Sequence, residues 1–324
     1  MFDKQHLHIA LASDNNYAEF VSIVITSLFE NNKSFEKISI HLLSNKISTN
    51  SIEKIKHHIP SSGDLYLYDI SNIQEHLQIN VPNTIAISSY ARLFLGNIVD
   101  TSVDRILYVD CDVIINKNLA NLWQTNINDY SIAGILDTLP DNQSKLNIGL
   151  NKHDAYINAG VLLINLDYWR NFNIQQQFID FLLKNNGKVH HHDQGIINAV
   201  CTNKLILHPQ YNLTSTYLSH PYWLLNKTNN PFYSQEEVEH AIETPTIIHF
   251  TEGFYNRPWI NNSRHPYASI FHKYRNMTLW SNSPLREDSR SIAVKILSWS
   301  FLNTPYWCYK IISNSIGLLH KLVK

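Results

Sequence analysis

Cysteine, glycine and any excess of one charge are what this sequence has least of. Its three cysteines, Cys111, Cys201 and Cys308, are odd in number and widely spaced. That excludes a disulfide framework and a thiolate metal knuckle, and points to a reducing compartment. Nine Gly and 11 Pro in 324 residues exclude a collagen-like or low-complexity chain. With 44% hydrophobic and 16% charged residues, the composition is that of a folded protein with a sizeable core. No apolar run approaches the roughly 18 residues of a membrane-spanning helix. The opening MFDKQHLHIALAS lacks the basic start and long apolar stretch of an export signal, so neither export by that route nor a membrane span is expected. Lys+Arg number 26 against 27 Asp+Glu, for a formal net charge of -1, so no global field recruits nucleic acid and nucleic acid is not an expected partner. The 17 His are scattered, which is the pattern of surface and structural histidines. The Asn-x-Ser/Thr triplets at Asn142, Asn212, Asn226 and Asn276 are what an Asn-rich chain without a signal peptide produces by chance.

What the sequence does have is alternation. Residues 7–12 read as a buried strand and 18–29 as a helix. A second strand follows at 38–43, then a helix capped by Ser48 and running to 59, then a third strand at 65–68. This order predicts a parallel sheet flanked by helices, an α/β protein. A helix over 88–95 leads to an apolar strand at 105–109; further strands are expected at 131–136, 161–166 and 246–250, and a helix at 174–184. Neither an internal repeat nor a flexible linker interrupts the chain before about residue 280. From Ser289 onward there is no Asp or Glu, while Arg290, Lys295, Lys310, Lys321 and Lys324 are interleaved with Trp299, Phe301, Tyr306, Trp307 and Tyr309. Ile312, Ile316, Leu319 and Val323 share one helical face, and Pro305 separates two short helices. The chain thus divides into 1–280, a catalytic domain, and 281–324, a basic and aromatic helical tail. The tail suits an anionic membrane surface, or packing on its own domain.

Chemistry concentrates where the strand at 105–109 runs into Asp110-Cys111-Asp112. In an extended chain residues i and i+2 project to one side, so the two carboxylates can share a cation while Cys111 faces away. Hard carboxylate oxygens suit Mg²⁺ or Mn²⁺, which fill their remaining positions with phosphate oxygens and water. Asp-x-Asp alone also occurs in turns and N-caps. Here, however, Val109, Val113, Ile114 and Ile115 surround it, and an acidic island in apolar surroundings is costly unless its charge is compensated. His249 ends the strand at 246–250 and reads either as a third metal ligand or as a satisfied core histidine. Arg257, beyond Gly253, reads as a diphosphate contact or as a surface arginine before Pro258. The run His190-His191-His192 reads as an acceptor-side or solvated loop, because adjacent side chains diverge.

Taken in order, Ala12-Ser13-Asp14-Asn15-Asn16-Tyr17, Tyr90-Ala91-Arg92-Leu93, Tyr108-Val109-Asp110-Cys111-Asp112, Asn158-Ala159-Gly160-Val161, His192-Asp193-Gln194 and His249-Phe250 through Arg257-Pro258-Trp259 closely resemble glycosyltransferase family 8. Within it the chain is most similar to bacterial lipopolysaccharide and lipooligosaccharide α-galactosyl- and α-glucosyltransferases. The resemblance implies a GT-A fold, a Rossmann-like mixed sheet flanked by helices, and UDP-galactose or UDP-glucose as donor. It further implies Mn²⁺, with Mg²⁺ as the other candidate, and retention of anomeric configuration.

Carried over by position, Asp110, Asp112 and His249 are the metal ligands. Ala12, Asp14, Asn16 and Tyr17 line the uridine site, with Asp110 and Cys111 on its floor, and His249, Gly253 and Arg257 face the diphosphate. Arg92, Asp137, Asn158, Ala159, Asp193 and Gln194 surround the donor sugar. Gln194 falls where the family faces the anomeric carbon, and Asp193 is the nearby carboxylate that contests a catalytic role. An amide is a poor nucleophile, which favours same-face attack with Gln194 as a positioning group. The loop 251–259 is longer than the family's usual run and carries Arg257 where Lys is common. The stretch 80–88 matches the acceptor-side wall but bears no recognisable sugar-binding set, so acceptor identity does not transfer. A saccharide or lipid-linked glycan at the cytoplasmic face of the inner membrane is the implied setting. Two other readings fit Asp-x-Asp: a phosphohydrolase of the haloacid dehalogenase type with Asp110 as nucleophile, and a non-catalytic nucleotide-sugar-binding scaffold.

Overall fold

A computed structural model describes residues 5–72, 90–138, 142–228 and 231–322. Strand β1 (His6–Asp14) leads through a short turn into α1 (Ala18–Asn31). There follow β2 (Lys37–Asn45), α2 (Thr49–Lys56) and β3 (Gly63–Asp69), all in the order the alternation predicts. Ser48 caps α2 by accepting from the backbone N–H of Ser51 at 3.2 Å. Residues 88 and 89 and the acceptor-side stretch 80–88 lie outside the described residues. The described part of the helix expected at 88–95 is a 3₁₀ turn, Ala91–Phe94, continued by the helical turn Leu95–Ile98.

The remaining strands of the main sheet are β4 (Arg105–Val109), β6 (Ile132–Leu136), β7 (Ile157–Asn165) and β8 (Lys204–Ile206). The sheet has seven strands in the order β3-β2-β1-β4-β7-β6-β8. Strands β3, β2, β1 and β4 are parallel, but β7 runs antiparallel to both β4 and β6. The parallel sheet expected from the alternation alone is therefore corrected to a mixed one, the sheet that the family resemblance implies. The strand expected at 161–166 starts earlier, at Ile157, so Asn158–Gly160 lies in a strand. Three short strands escaped the alternation: β8, β5 (Val113–Ile115) and β9 (Leu213–Thr214).

Period-2 burial sorts β4 between two layers. Leu107 and Val109 pack with α1, whereas Ile106 and Tyr108 face the other side. On that other side lie α3 (Leu166–Asn171), α4 (Ile174–Lys184) and α5 (His192–Val200).

Sheet order reverses between β1 and β4, the place where an open α/β sheet has a crevice beyond its strand ends. Because β7 is antiparallel, its first residues reach that same edge: Val161 pairs with Val109, and the Asp110 N–H donates to Gly160 O at 2.8 Å. Beside it stands a small sheet, β5-β10-β9, with β10 spanning Ile247–His249. In it His249 pairs with Val113 of β5 and Thr214 of β9. Beyond lie α6 (Tyr222–Thr228), α7 (Gln235–Glu243) and α8 (Ala268–Arg275), then α9 (Ile292–Asn303) and α10 (Tyr306–Leu322), with Pro305 between the last two. Phe301 of α9 stacks on Phe254 at 3.7 Å, and Tyr306 of α10 meets Trp223 of α6 edge-on at 5.1 Å. The side chains of Ile316, Leu319 and Val323 lie outside the described residues. Among the described residues, no helix is long and apolar enough to cross a membrane.

Candidate active site

Strand β4 ends at Val109, so Asp110, Cys111 and Asp112 form the turn between β4 and β5 and are not part of an extended strand. The carboxylates still converge, for a different reason: β5 turns back beside β10, and Phe250 N–H donates to Asp112 O at 2.9 Å. His249 Nε2 lies 3.1 Å from Asp112 Oδ1 and 3.9 Å from Asp110 Oδ2. One ligand atom from each of the three residues lies within 4.8 Å of the others, so this group, among the described residues, could hold a metal ion. Cys111 points away and donates from Sγ to Ala12 O at 3.3 Å. Gly160 makes the convergence possible, since a Cβ there would sit 2.3 Å from His249 Cε1 and 2.9 Å from Asp110 Oδ2.

The cluster's electrostatics call for positive charge. Burial works against charge on His249, yet the Asp112 carboxylate outweighs burial and raises the imidazole pKa. Burial likewise opposes the charged form of Asp112, but His249 and Arg257 hold its pKa below the usual carboxylate value. Two carboxylates and one imidazole form a donor set that fits a hard or borderline divalent cation.

Arg92 organises the layer behind. It is 5% exposed, contacts Asp110 Oδ1 and Asp193 Oδ2 at 3.0 Å each, and donates to Ala159 O. Its guanidinium lies 4.3 Å over the Tyr108 ring. The Tyr108 hydroxyl donates to the same Asp110 Oδ1 at 2.9 Å. One Asp110 oxygen is thus taken from behind, and the other is turned to His249. Burial raises the Asp193 pKa more than Arg92 lowers it. Gln194 is held at both ends of its amide: Oε1 accepts from Ala159 N–H at 3.0 Å, and Nε2 donates to Asp137 Oδ2 at 2.9 Å.

These groups, with Asn158, Gly160, His191, Glu252 and Arg257, line a cleft of about 380 Å³. Arg257 Nη2 is 3.7 Å from Asp112 Oδ2, and Nη1 is 3.4 Å from Glu252. An adjoining cavity of about 610 Å³ holds Tyr17, Gly253, Arg257 and Trp259. In the turn before Tyr17, Asp14 Oδ1 accepts from Asn16 N–H at 2.9 Å.

Of the His190–His192 run, His190 Nε2 meets Ser144 Oγ at 2.9 Å and His191 Nδ1 meets Tyr156 OH at 2.8 Å. The rings therefore serve separate partners. Three residues that the sequence reading passed over also belong here. Tyr108 supports Asp110 as described. Arg286 lies 5.5 Å over the Tyr17 ring and donates to Asn16 O at 2.8 Å. Asn212 is fully buried beside His249, although in the sequence it shows only as one of several glycosylation triplets.

The profile of the Glycosyl transferase family 8 matches residues 8–263. A putative glycosyltransferase of Haemophilus influenzae is 31% identical over 65% of this chain and 64% of its own length. A lipopolysaccharide 1,2-glucosyltransferase of Escherichia coli is 26% identical over 88% of this chain and 82% of its own. Among solved structures, the galactosyltransferase LgtC in complex with donor and acceptor sugar analogues superposes with a TM-score of 0.69. It is 22% identical, and the match covers 84% of this chain and 96% of that one. The mixed sheet flanked by helices is the GT-A architecture of that neighbour.

Proposed function

Because the chain belongs to glycosyltransferase family 8, we propose that it moves galactose or glucose from a UDP-sugar to a glycan hydroxyl, with retention of configuration and with a divalent cation. The observation that carries this reading is the convergence of Asp110, Asp112 and His249 with Arg257 next to Asp112. Cation and guanidinium together suit a diphosphate. Family membership also sets aside the phosphohydrolase alternative.

Held by Asp110, Asp112 and His249, Mn²⁺ or Mg²⁺ would neutralise charge on the diphosphate oxygens as UDP departs. Arg257, on the loop with Gly253, adds donors that favour the same charge. Asp14, Asn16 and Tyr17 hold uridine over a floor of Ala12 and Cys111, and the donor sugar sits against Arg92, Asp137, Asn158, Ala159, Asp193 and Gln194. The two-ended clamp on Gln194 supports a positioning role and same-face attack by the acceptor hydroxyl. The Asp193 carboxylate is engaged by Arg92, which argues against its serving as a nucleophile.

The test is UDP release from a panel of UDP-sugars with and without Mn²⁺. Metal-dependent turnover of UDP-galactose or UDP-glucose, accelerated by acceptor, is expected. Binding without turnover would favour the scaffold reading.

The name of the E. coli relative supports an acceptor in lipopolysaccharide or other surface-glycan assembly, and with it a place on the cytoplasmic face of the inner membrane. We assign 1–280 to catalysis, with Arg286 reaching back to Tyr17 and Asn16, and the two helices of the 281–324 tail to docking on anionic lipid. Ile292, Trp299, Trp307 and Ile311 are exposed on α9 and α10, in the stretch from Ser289 onward that has no acidic residue. Flotation with phosphatidylglycerol vesicles tests this: truncation before Ser289 should abolish flotation and leave UDP-sugar hydrolysis measurable. Loss of both together would make the tail part of the catalytic core.

A further inference from the structure

We propose that Asn212 is a positioning residue that fixes His249 for metal binding and joins the metal centre to the donor-sugar wall. The inference rests on the metal-dependent transferase reading above. Asn212 immediately precedes β9, which runs parallel beside β10, and it is fully buried. Its Oδ1 lies 2.8 Å from His249 Nδ1, and its Nδ2 donates to Asn158 Oδ1 at 2.8 Å. Asn158 Nδ2 donates onward to Asp137 Oδ2 at 3.0 Å, the oxygen that also accepts from Gln194.

The direction of this chain is set by a group with no choice of role. The backbone N–H of Gly160 donates to Asn158 Oδ1 at 2.9 Å, so that atom is an oxygen acceptor and Asn212 must turn its NH₂ toward it. The Asn212 carbonyl then faces His249 and requires a proton on Nδ1. That leaves the lone pair on Nε2, the atom that faces Asp110 and Asp112. A histidine ligand commonly owes its tautomer and ring orientation to such a partner. A buried Asn that merely satisfies the core would bond local backbone; both partners of Asn212 are side chains of the cleft.

The experiment titrates the full-length protein with Mn²⁺, reading free Mn²⁺ by electron paramagnetic resonance, and compares wild type with Asn212→Leu and Asn212→Asp. Asn212→Leu should bind Mn²⁺ roughly 10–100-fold more weakly. Asn212→Asp keeps an acceptor for His249 but sets a carboxylate against Asn158 Oδ1. It should hold Mn²⁺ within about threefold of wild type, or more tightly, and lose turnover at saturating Mn²⁺. A folded Asn212→Leu protein with wild-type Mn²⁺ affinity overturns the proposal, as does an Asn212→Asp protein as weak as Asn212→Leu. If Asn212→Leu does not fold, imidazole ¹⁵N–¹H correlations of wild type with Mg²⁺ and UDP decide. A His249 proton on Nδ1 supports the assignment, and one on Nε2 overturns it. No Mn²⁺ binding by wild type at all would instead sink the metal-dependent reading itself.

Discussion

Strand β1 has a polar cluster at each end, and the two differ in kind. At its start, His6 and His8 meet β2 and β3: His8 Nδ1 lies 3.1 Å from His41 Nε2, His41 Nδ1 lies 3.0 Å from Tyr68 OH, and His6 Nε2 lies 2.8 Å from Ser39 Oγ. With Tyr66, Asp100, Asp104 and Trp123, the residues His6, His8, His41 and Tyr68 line a cavity of about 580 Å³, larger than the cleft of about 380 Å³ that Asp110, Asp112 and His249 line. At its other end are Asp110, Asp112 and His249. In the histidine cluster, burial pushes the His41 pKa down to about 4. In the cluster of Asp110, Asp112 and His249, the two half-buried carboxylates outweigh burial of the imidazole and draw the His249 pKa up. Concavity and histidines do not by themselves distinguish a site from a packing solution. The donor set does: among the described residues, only the second end brings two carboxylates and an imidazole within 4.8 Å of one another.

The sharpest way to break that comparison is Asp112→Asn. Removing one carboxylate removes the demand for a cation, so metal-dependent UDP release should fall by at least about 100-fold, the scale of losing one preorganised electrostatic contact to a developing anion. Saturating Mn²⁺ should raise the melting temperature of wild type and leave this variant unmoved, since a ligand stabilises only the state that binds it. Retained activity and an equal thermal shift would move the metal site elsewhere.

Gly160→Ala sharpens the same contrast sterically. Its Cβ would fall 2.3 Å from His249 Cε1, and forcing a methyl into packed surroundings costs about 1–3 kcal/mol. Weaker Mn²⁺ binding together with a lower urea midpoint is expected. A drop in stability at wild-type Mn²⁺ affinity would separate this glycine from the metal centre.

How legible each end was in the sequence follows from the physics that makes it. Apolar strands alternating with helices announced β1, β2, β3 and β4, and with them the crevice. Asp110 and Asp112 stood out because acid in an apolar run is costly. No shared strand face brings them together: they occupy a turn, positioned by the pairing of β5 with β10. That pairing was invisible because strands of two or three residues have no period to detect. Asn212 and Tyr108 were hidden for another reason. A buried amide in an Asn-rich chain, or a tyrosine in an apolar strand, looks like any other until its partner 37 or two residues away is known. Arg286, near the end of the chain, reaches Asn16 from 270 residues away, a contact no local pattern encodes.

The smallest expected effect lies at the histidine end and appears only in acid. Burial holds the folded His41 pKa at about 4, against an ordinary imidazole value of 6.5. Between those values the unfolded chain therefore binds the extra proton. Stability from keeping His41 neutral is complete above pH 6.5 and is lost as pH falls toward 4, at no more than about 1.4 kcal/mol per pH unit. His265, also held near 4 by burial, adds to the same window. His41→Gln keeps a donor and an acceptor between His8 and Tyr68 but cannot titrate. Its urea midpoint should fall less steeply than that of wild type between pH 6.5 and 5, while Mn²⁺ affinity at pH 7.5 stays the same. An unchanged acid slope would place the titration in His265 or elsewhere. Altered Mn²⁺ affinity would mean that the two ends of β1 are coupled, and that the histidine cluster is more than packing.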